Sequence, residues 1–402
     1  MLPDGWRRST LGEIARITSG GTPDRSEPSY WGGSVPWVTT GEIQFNTITD
    51  TAEKITETGL KNSSAKLFPP GTLLMAMYGQ GKTRGQVAKL GIEASTNQAC
   101  AAILLRPEHS PDFYYHYLSA QYEALRELGN AGTQQNLSAG ILKDVEVLVP
   151  PLDEQRAIAR VVGIWDEAIE SAVRLASNAK LAMSAMIEQS VLRGVRHGAW
   201  PMRHLSDIAT RVQRSEVAEP DLPVLMISSG TGFVRQDEKY SRFMAGKSVE
   251  NYIALEEGEF AYNKGNSKRY EFGCVFPLKG LPKGLVPHVY VCFRLNDDQH
   301  PGFFEHLFAA DFLHDQLGAL VNTGVRNNGL LNIRPADFMA CKVPVPPRDE
   351  QQTIAERLAV AAEWVSRSDA YAATLREEKA ALVADLLTGK RRVRLPSAEA
   401  VS

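Results

Sequence analysis

The phrase VPPLDEQRAIA occupies 149–159 and returns as VPPRDEQQTIA at 345–355, 196 residues later. An internal repeat of this kind fixes more about the fold than any composition does, because each copy must be one structural unit. The match extends in both directions. Asn136-Leu137 answers Asn332-Ile333, and DFYYHYLSAQ (112–121) answers GFFEHLFAAD (302–311). Trp6, Leu11, Ile14 and Ala15 answer Trp200, Leu205, Ile208 and Ala209, and Gly194 answers Gly389. Two long copies exclude a solenoid, which needs shorter and more numerous repeats.

Each phrase leads into a helix. From Ile158 the apolar positions step by four and three through Val162, Trp165, Ile169, Ala172, Ala176, Ala179, Met183 and Met186. From Ile354 the same stepping runs through Leu358, Ala361, Val365, Ser368, Ala372, Leu375, Lys379, Leu382 and Leu386. A sustained 3.5-residue repeat marks a seam against another helix, in which Ser368 and Lys379 help to fix register. Each helix of about 40 residues would extend roughly 60 Å, the length of about 18 base pairs of duplex. Paired prolines cannot lie inside a helix, so they mark its start. The acidic pair then falls in the first turn, where the helix dipole favours it, and Gly194 and Gly389 suit the far ends.

The remaining sequence reads as mixed α and β. Short apolar runs at 71–78, 100–107 and 289–295, bounded by turn residues, predict strands, and 111–129 has helical periodicity between Pro111 and Gly129. The expected organisation is therefore a globular domain at 1–149, a helix at 150–196, a second globular domain at 197–345, a second helix at 346–394 and a tail at 395–402. The fold class is α+β: two mixed domains separated by an antiparallel two-helix coiled coil, with pseudo-twofold internal symmetry.

Function classes narrow by elimination. No apolar run is long enough for a signal peptide or a bilayer span. The four cysteines are scattered without a CxxC pair, which argues against a zinc knuckle or a disulfide framework and points to a reducing cytoplasm. The net charge is −3, and the four segments carry −2, 0, −1 and 0, so nucleic-acid binding would have to use local patches. The eight histidines form no HExxH, and no methyl-donor loop or nuclease motif is evident. GKT at 81–83 invites a phosphate-loop reading, but that pattern needs glycine where Ala76 stands.

Two loop pairs have the chemistry to touch DNA. YGQGKTRG (78–85) presents Lys82, Thr83 and Arg84 after a strand, and YNKGNSKRYEFG (262–273) presents Lys264, Asn266, Ser267, Lys268, Arg269 and Tyr270 in the comparable place. Glycine permits close approach, cations neutralise phosphates, and Arg, Asn and Ser read base edges. The second pair holds Gln134 and Gln135 in one copy and Arg326, Asn327 and Asn328 in the other, although amides also close turns.

GWRRSTLGEIARITSGGTPDRSEPSYWGGSVPWVTTGEI (5–43), with its SGGTP and YWGG..PW elements, closely resembles the first recognition domain of the specificity subunits of type I restriction–modification systems. ENYIALEEGEFAYN (250–263) with GLVPHVYVCFRL (284–295) resembles the second kind of recognition domain in that family, and the PPxDEQ phrases resemble its entries into two helical regions. The resemblance implies a non-catalytic subunit whose two domains each read half of a split sequence in double-stranded DNA. It implies two methyltransferase subunits and translocating restriction subunits as partners. S-adenosylmethionine, and ATP with Mg, would bind those partners, with no cofactor on this chain. Thr22, Tyr30, Thr39 and Thr40 lie in the family pattern and join the DNA-binding candidates, whereas Trp31 and Trp37 suit a core. Pro150, Pro151, Glu154, Gln155, Pro346, Pro347, Glu350 and Gln351 are the expected methyltransferase-docking residues. A self-contained methyltransferase or nuclease and a protein-only scaffold are the alternatives.

Overall fold

The computed structural model describes residues 2–79, 82–129, 136–214, 222–239, 251–265, 267–321 and 331–394. The chain divides into two units, Met1–Ala172 with Tyr371–Ser402, and Val173–Ala370. Each unit contains one globular domain, the start of one long helix and the end of the other.

In the first unit the strand Arg7–Thr10 pairs antiparallel with Glu146–Val149, so the two ends of the globular domain are zipped together just before Pro150. The main sheet orders Ala15–Ser19, Cys100–Leu105, Leu73–Ala76, Val87–Leu90 and Thr47–Ile48. Leu73–Ala76 is buried at every position, and Cys100–Leu105 at its first four, as the continuous apolar runs require of central strands. A smaller sheet holds Trp31–Val38 between Glu53–Ile55 and Ser95–Thr96. The helix Pro111–Ala120 starts as its sequence directs: Pro111 at its first turn and the Ser110 hydroxyl accepting from Phe113 N.

The second unit repeats this plan. Met202–His204 pairs antiparallel with Lys342–Pro344, and the sheet orders Ala209–Arg211, Val291–Leu295, Phe260–Asn263 and Cys274–Pro277. Ala15 faces Leu105 in one copy and Ala209 faces Leu295 in the other, so register as well as strand order is duplicated. Pro301–Ala309 and His314–Leu320 stand where Pro111–Ala120 and Tyr122–Leu128 stand in the first unit.

The first long helix runs Leu152–Ile187 and continues through a π-helical turn, Glu188–Leu192, into Arg193–Arg196. The second runs Arg348–Leu387. Within the first unit the helices are antiparallel: Ala172, Ala372 and Leu375 form one small core with Trp165 and Ile169 against them. Asp166 pairs with Lys379, and Glu154 takes Arg392 through two bonds of 2.6 and 2.8 Å. Within the second unit Lys180 meets Asp369 at 2.8 Å, and Ser368 is buried.

Gly389 ends the second helix in a left-handed conformation, φ +72°, as expected of a glycine in that place. Gly194 does not end the first. It lies inside the last helical turn, where an added Cβ would come within 2.6 Å of the Trp200 ring, and Gly198, φ +64°, makes the left-handed turn after the helix. The shared property of the two glycines is close approach. Gly389 packs equally against Pro3 and the Trp6 ring.

Candidate nucleic-acid interface

The PPxDEQ phrase works chiefly inside each unit. Gln155 is buried and bridges two segments: its Nε2 donates to Pro150 O at 2.8 Å and its Oε1 accepts from Ser110 N at 2.9 Å. Gln351 does the same with Pro346 O (2.8 Å) and His300 N (2.8 Å), and also donates to Gln299 Oε1 at 3.0 Å. Glu154, also buried, accepts the Trp6 indole N–H at 3.0 Å, and Glu350 accepts that of Trp200 at 3.1 Å. The side chains of Glu154, Gln155 and Gln351 are thus turned away from any docking partner, because burial obliges them to satisfy backbone and indole groups of their own domain. Pro150 and Pro346 are buried too, whereas Pro151, Pro347 and Glu350 are exposed.

The basic loop of the first unit leaves the strand Leu73–Ala76 and returns into the strand Val87–Leu90, not into a helix, which disposes of the phosphate-loop reading. Lys82 is exposed and Thr83 half-buried. Arg84 is buried and donates to Arg126 O at 3.4 Å, so it anchors the loop and does not project from it. Tyr122 completes the anchor: its hydroxyl donates to Lys82 O, and the Arg126 guanidinium lies 5.2 Å over its ring.

In the second unit Lys268 and Arg269 are exposed at the corresponding loop. Ser267 and Tyr270 close that turn with Ser267 N donating to Tyr270 O at 2.9 Å. Tyr270 is buried, its hydroxyl donating to Ala309 O at 3.2 Å, and Arg269 stacks 5.3 Å from its ring. Tyr270 is a support for Arg269, not a surface group. Lys264 is half-buried, and its carbonyl accepts from Leu331 N at 3.1 Å. The first unit has the same bond: Leu137 N donates to Met77 O at 3.0 Å. The segment after each amide-rich loop is therefore tied to the strand exit that feeds each basic loop. Gln134, Gln135, Asn266, Arg326, Asn327 and Asn328 lie outside the described residues.

The residues of the family pattern have mostly local work. Thr39 is turned toward its own chain: its N–H and hydroxyl both bind Glu42 Oε2, at 2.7 and 3.0 Å. The Thr22 hydroxyl meets Gln98 Oε1. Tyr30 and Thr40 are half-buried. Trp37 is core, donating to Gly21 O at 3.0 Å, and half-buried Trp31 meets it edge-on at 5.0 Å. Arg25 stacks 3.8 Å over Trp31 and is held by Glu53 at 2.7 Å.

The titratable groups argue for structure. His116 is half-buried beside Asp166, and desolvation holds its pKa down at about 4. Burial lowers His306 likewise and raises all four buried cysteines. Among the described residues no group of three or more His, Cys, Asp or Glu could hold a metal, and no helix is long and apolar enough to cross a membrane.

Sequence reasoning missed Phe45 and Tyr122. Phe45 is exposed at a left-handed φ of +55° and packs edge-on against Tyr122 at 5.2 Å. Its one signal in the sequence is an aromatic residue set in the polar turn QFN.

Two mixed domains of one plan, each opening into a long helix, define a duplicated two-domain protein. Residues 3–175 match the family model of the type I restriction modification DNA specificity domain. The first globular domain and the start of the first long helix are thus similar to the DNA specificity domain of type I restriction–modification systems. The chain is 28% identical to the MjaIX specificity subunit of Methanocaldococcus jannaschii over 42% of this chain and 40% of that one. It is 22% identical to the EcoKI specificity subunit of Escherichia coli over 94% of this chain and 85% of that one. The chain spans about two fifths of the length of the first curated relatives it matches. In fold it is similar to a type I S subunit from M. genitalium, with a TM-score of 0.57 at 16% identity, covering 96% of this chain and 98% of that one.

Proposed function

We propose that this chain supplies the DNA sequence specificity of a type I restriction–modification complex, each globular domain reading one half of a split site. The observation that carries this reading is the duplicated loop arrangement. In both units a loop with exposed cations leaves the third strand of the sheet, and a second segment is bonded to that same strand exit. Lys82, Lys268 and Arg269 are exposed cations, and we assign them to phosphates or guanine edges. Catalysis belongs to partners: S-adenosylmethionine on methyltransferase subunits, and ATP with Mg on translocating restriction subunits. The complex would act in the cytoplasm, where its DNA is.

Two copies of the methyltransferase subunit dock on the long helices. Ile164 and Val360 are exposed apolar residues 196 positions apart, and so are Leu175 and Tyr371. Exposed apolar groups recurring at the repeat offset give two equivalent sticky places, as two identical partners require. The length of the coiled coil sets the unread gap.

Co-expression with the adjacent modification subunit, followed by genome-wide mapping of N6-methyladenine, tests the reading. A single split motif is expected, weakened by Lys82→Ala and by Lys268→Ala with Arg269→Ala. A stable complex that leaves no motif-specific methylation would sink it.

A further inference from the structure

Tyr122 joins two loops that are far apart in sequence. On one side its hydroxyl holds Lys82 O and its ring borders Gly85, at whose Cα an added Cβ would lie 3.6 Å from Tyr122 Cδ2. On the other side its ring meets Phe45 edge-on. The Phe45 loop is itself built with care: Gln44 N donates to Asn46 Oδ1 at 2.9 Å, and Gln44 Nε2 to Gly41 O at 2.6 Å. These bonds hold Phe45 in a left-handed conformation that a bulky aromatic rarely adopts. The result is an exposed ring and an exposed lysine whose loops both rest on one tyrosine.

Hydrophobic burial alone does not account for this placement, because the ring remains 37% exposed. Nor does turn chemistry, since Asn or Gly would take that φ without strain. An apolar edge presented from the same support as a phosphate-seeking cation is what a reader of the major groove needs to meet a thymine methyl, the one apolar feature among the base edges.

We propose that Phe45 is a specificity-determining residue of the first domain, contacting the 5-methyl of one thymine, and that Tyr122 is the positioning residue that fixes it relative to Lys82. This rests on the function proposed above.

The test uses the whole complex with its modification subunits, assayed on duplexes carrying the wild-type motif. Thymines in the half read by the first domain are replaced one at a time by deoxyuridine, which removes only the methyl. One replacement should lower wild-type kcat/KM about fourfold, the size expected for one buried methyl at about 0.8 kcal/mol. Phe45→Asn, which suits the left-handed turn, should methylate the thymine and deoxyuridine duplexes equally while keeping full discrimination in the other half. Tyr122→Phe should raise KM for the cognate duplex several-fold with kcat retained. Uniform tolerance of deoxyuridine by the wild type, or a Phe45→Asn variant that still feels the methyl, would overturn the inference. A wild-type complex with no split motif would instead overturn the function on which it stands.

Discussion

Trp6 donates its indole N–H to Glu154, 148 residues away, while the edge of the same ring lies under Gly389. Trp200 repeats the relationship with Glu350 and Gly194. One aromatic residue per unit thus binds the beginning of one long helix by a hydrogen bond and the end of the other by contact.

Replacing Glu154 with Ala should destabilise the first unit by about 2–3 kcal/mol, since it leaves the buried indole N–H without its acceptor. Glu350→Ala, at an exposed carboxylate, should cost the second unit about 1 kcal/mol or less. Urea unfolding followed by tryptophan fluorescence would measure both; equal losses would contradict the asymmetry.

Gln351→Glu sets a carboxylate oxygen against the carbonyls of Pro346 and Gln299, which now accept from its amide. Burial of that repulsion should lower stability by about 3 kcal/mol, more than Gln351→Ala lowers it. Thermal melts of the two variants give the order, and the reverse order would show that the amide N–H contributes little.

Gly194→Ala should destabilise although alanine is the better helix former by about 1 kcal/mol. The added methyl meets the Trp200 ring, which is backed edge-on by Phe303 at 6.0 Å and held by the indole bond to Glu350. A net loss of about 1–2 kcal/mol is expected from overpacking; a gain in melting temperature would refute the contact.

Acid should loosen the first unit through His116. Burial depresses its folded pKa to about 4, while the unfolded chain titrates near 6.5. The unfolded state then binds the extra proton first, so this contribution is intact above about pH 6.5 and declines as the pH falls toward 4, by up to about 3 kcal/mol. His116→Asn should flatten the fall in urea midpoint between pH 7 and 4.5. Lys379→Leu, by removing a cation that opposes protonation, should move the His116 titration upward in an NMR pH series.

The helices are the most legible part of the chain. The four–three stepping names positions that the fold buries, among them Val162, Ala172, Ala179, Leu358, Ala372 and Leu386, because a seam repeats its period in the sequence. The loops are legible in type and place, and less so in role. Arg84 and Lys82 are two residues apart in one basic loop, yet one is buried under Arg126 and the other faces solvent. Nothing in residue type separates an anchoring cation from a presented one; the difference arises from a helix 42 residues away. The PPxDEQ phrase illustrates the same limit. Its recurrence marks an essential junction, but the direction of Glu154 and the two glutamines depends on Trp6, Ser110, Gln299 and His300, which only the fold brings there. Gly194 reads as a helix end because a glycine required by a neighbouring ring looks the same in sequence as one required by a left-handed turn.

The core of the first unit includes Leu386 and Leu387, and Glu154 within it waits for Arg392. During synthesis that unit stays open on one side while the ribosome makes the entire second unit. At roughly 5–20 residues per second the delay is about 10–40 s. The second unit has all of its residues, Val173–Ala370, before those last turns emerge. The later-made half is therefore the one free to close first, and the nascent first half is the natural client of chaperones.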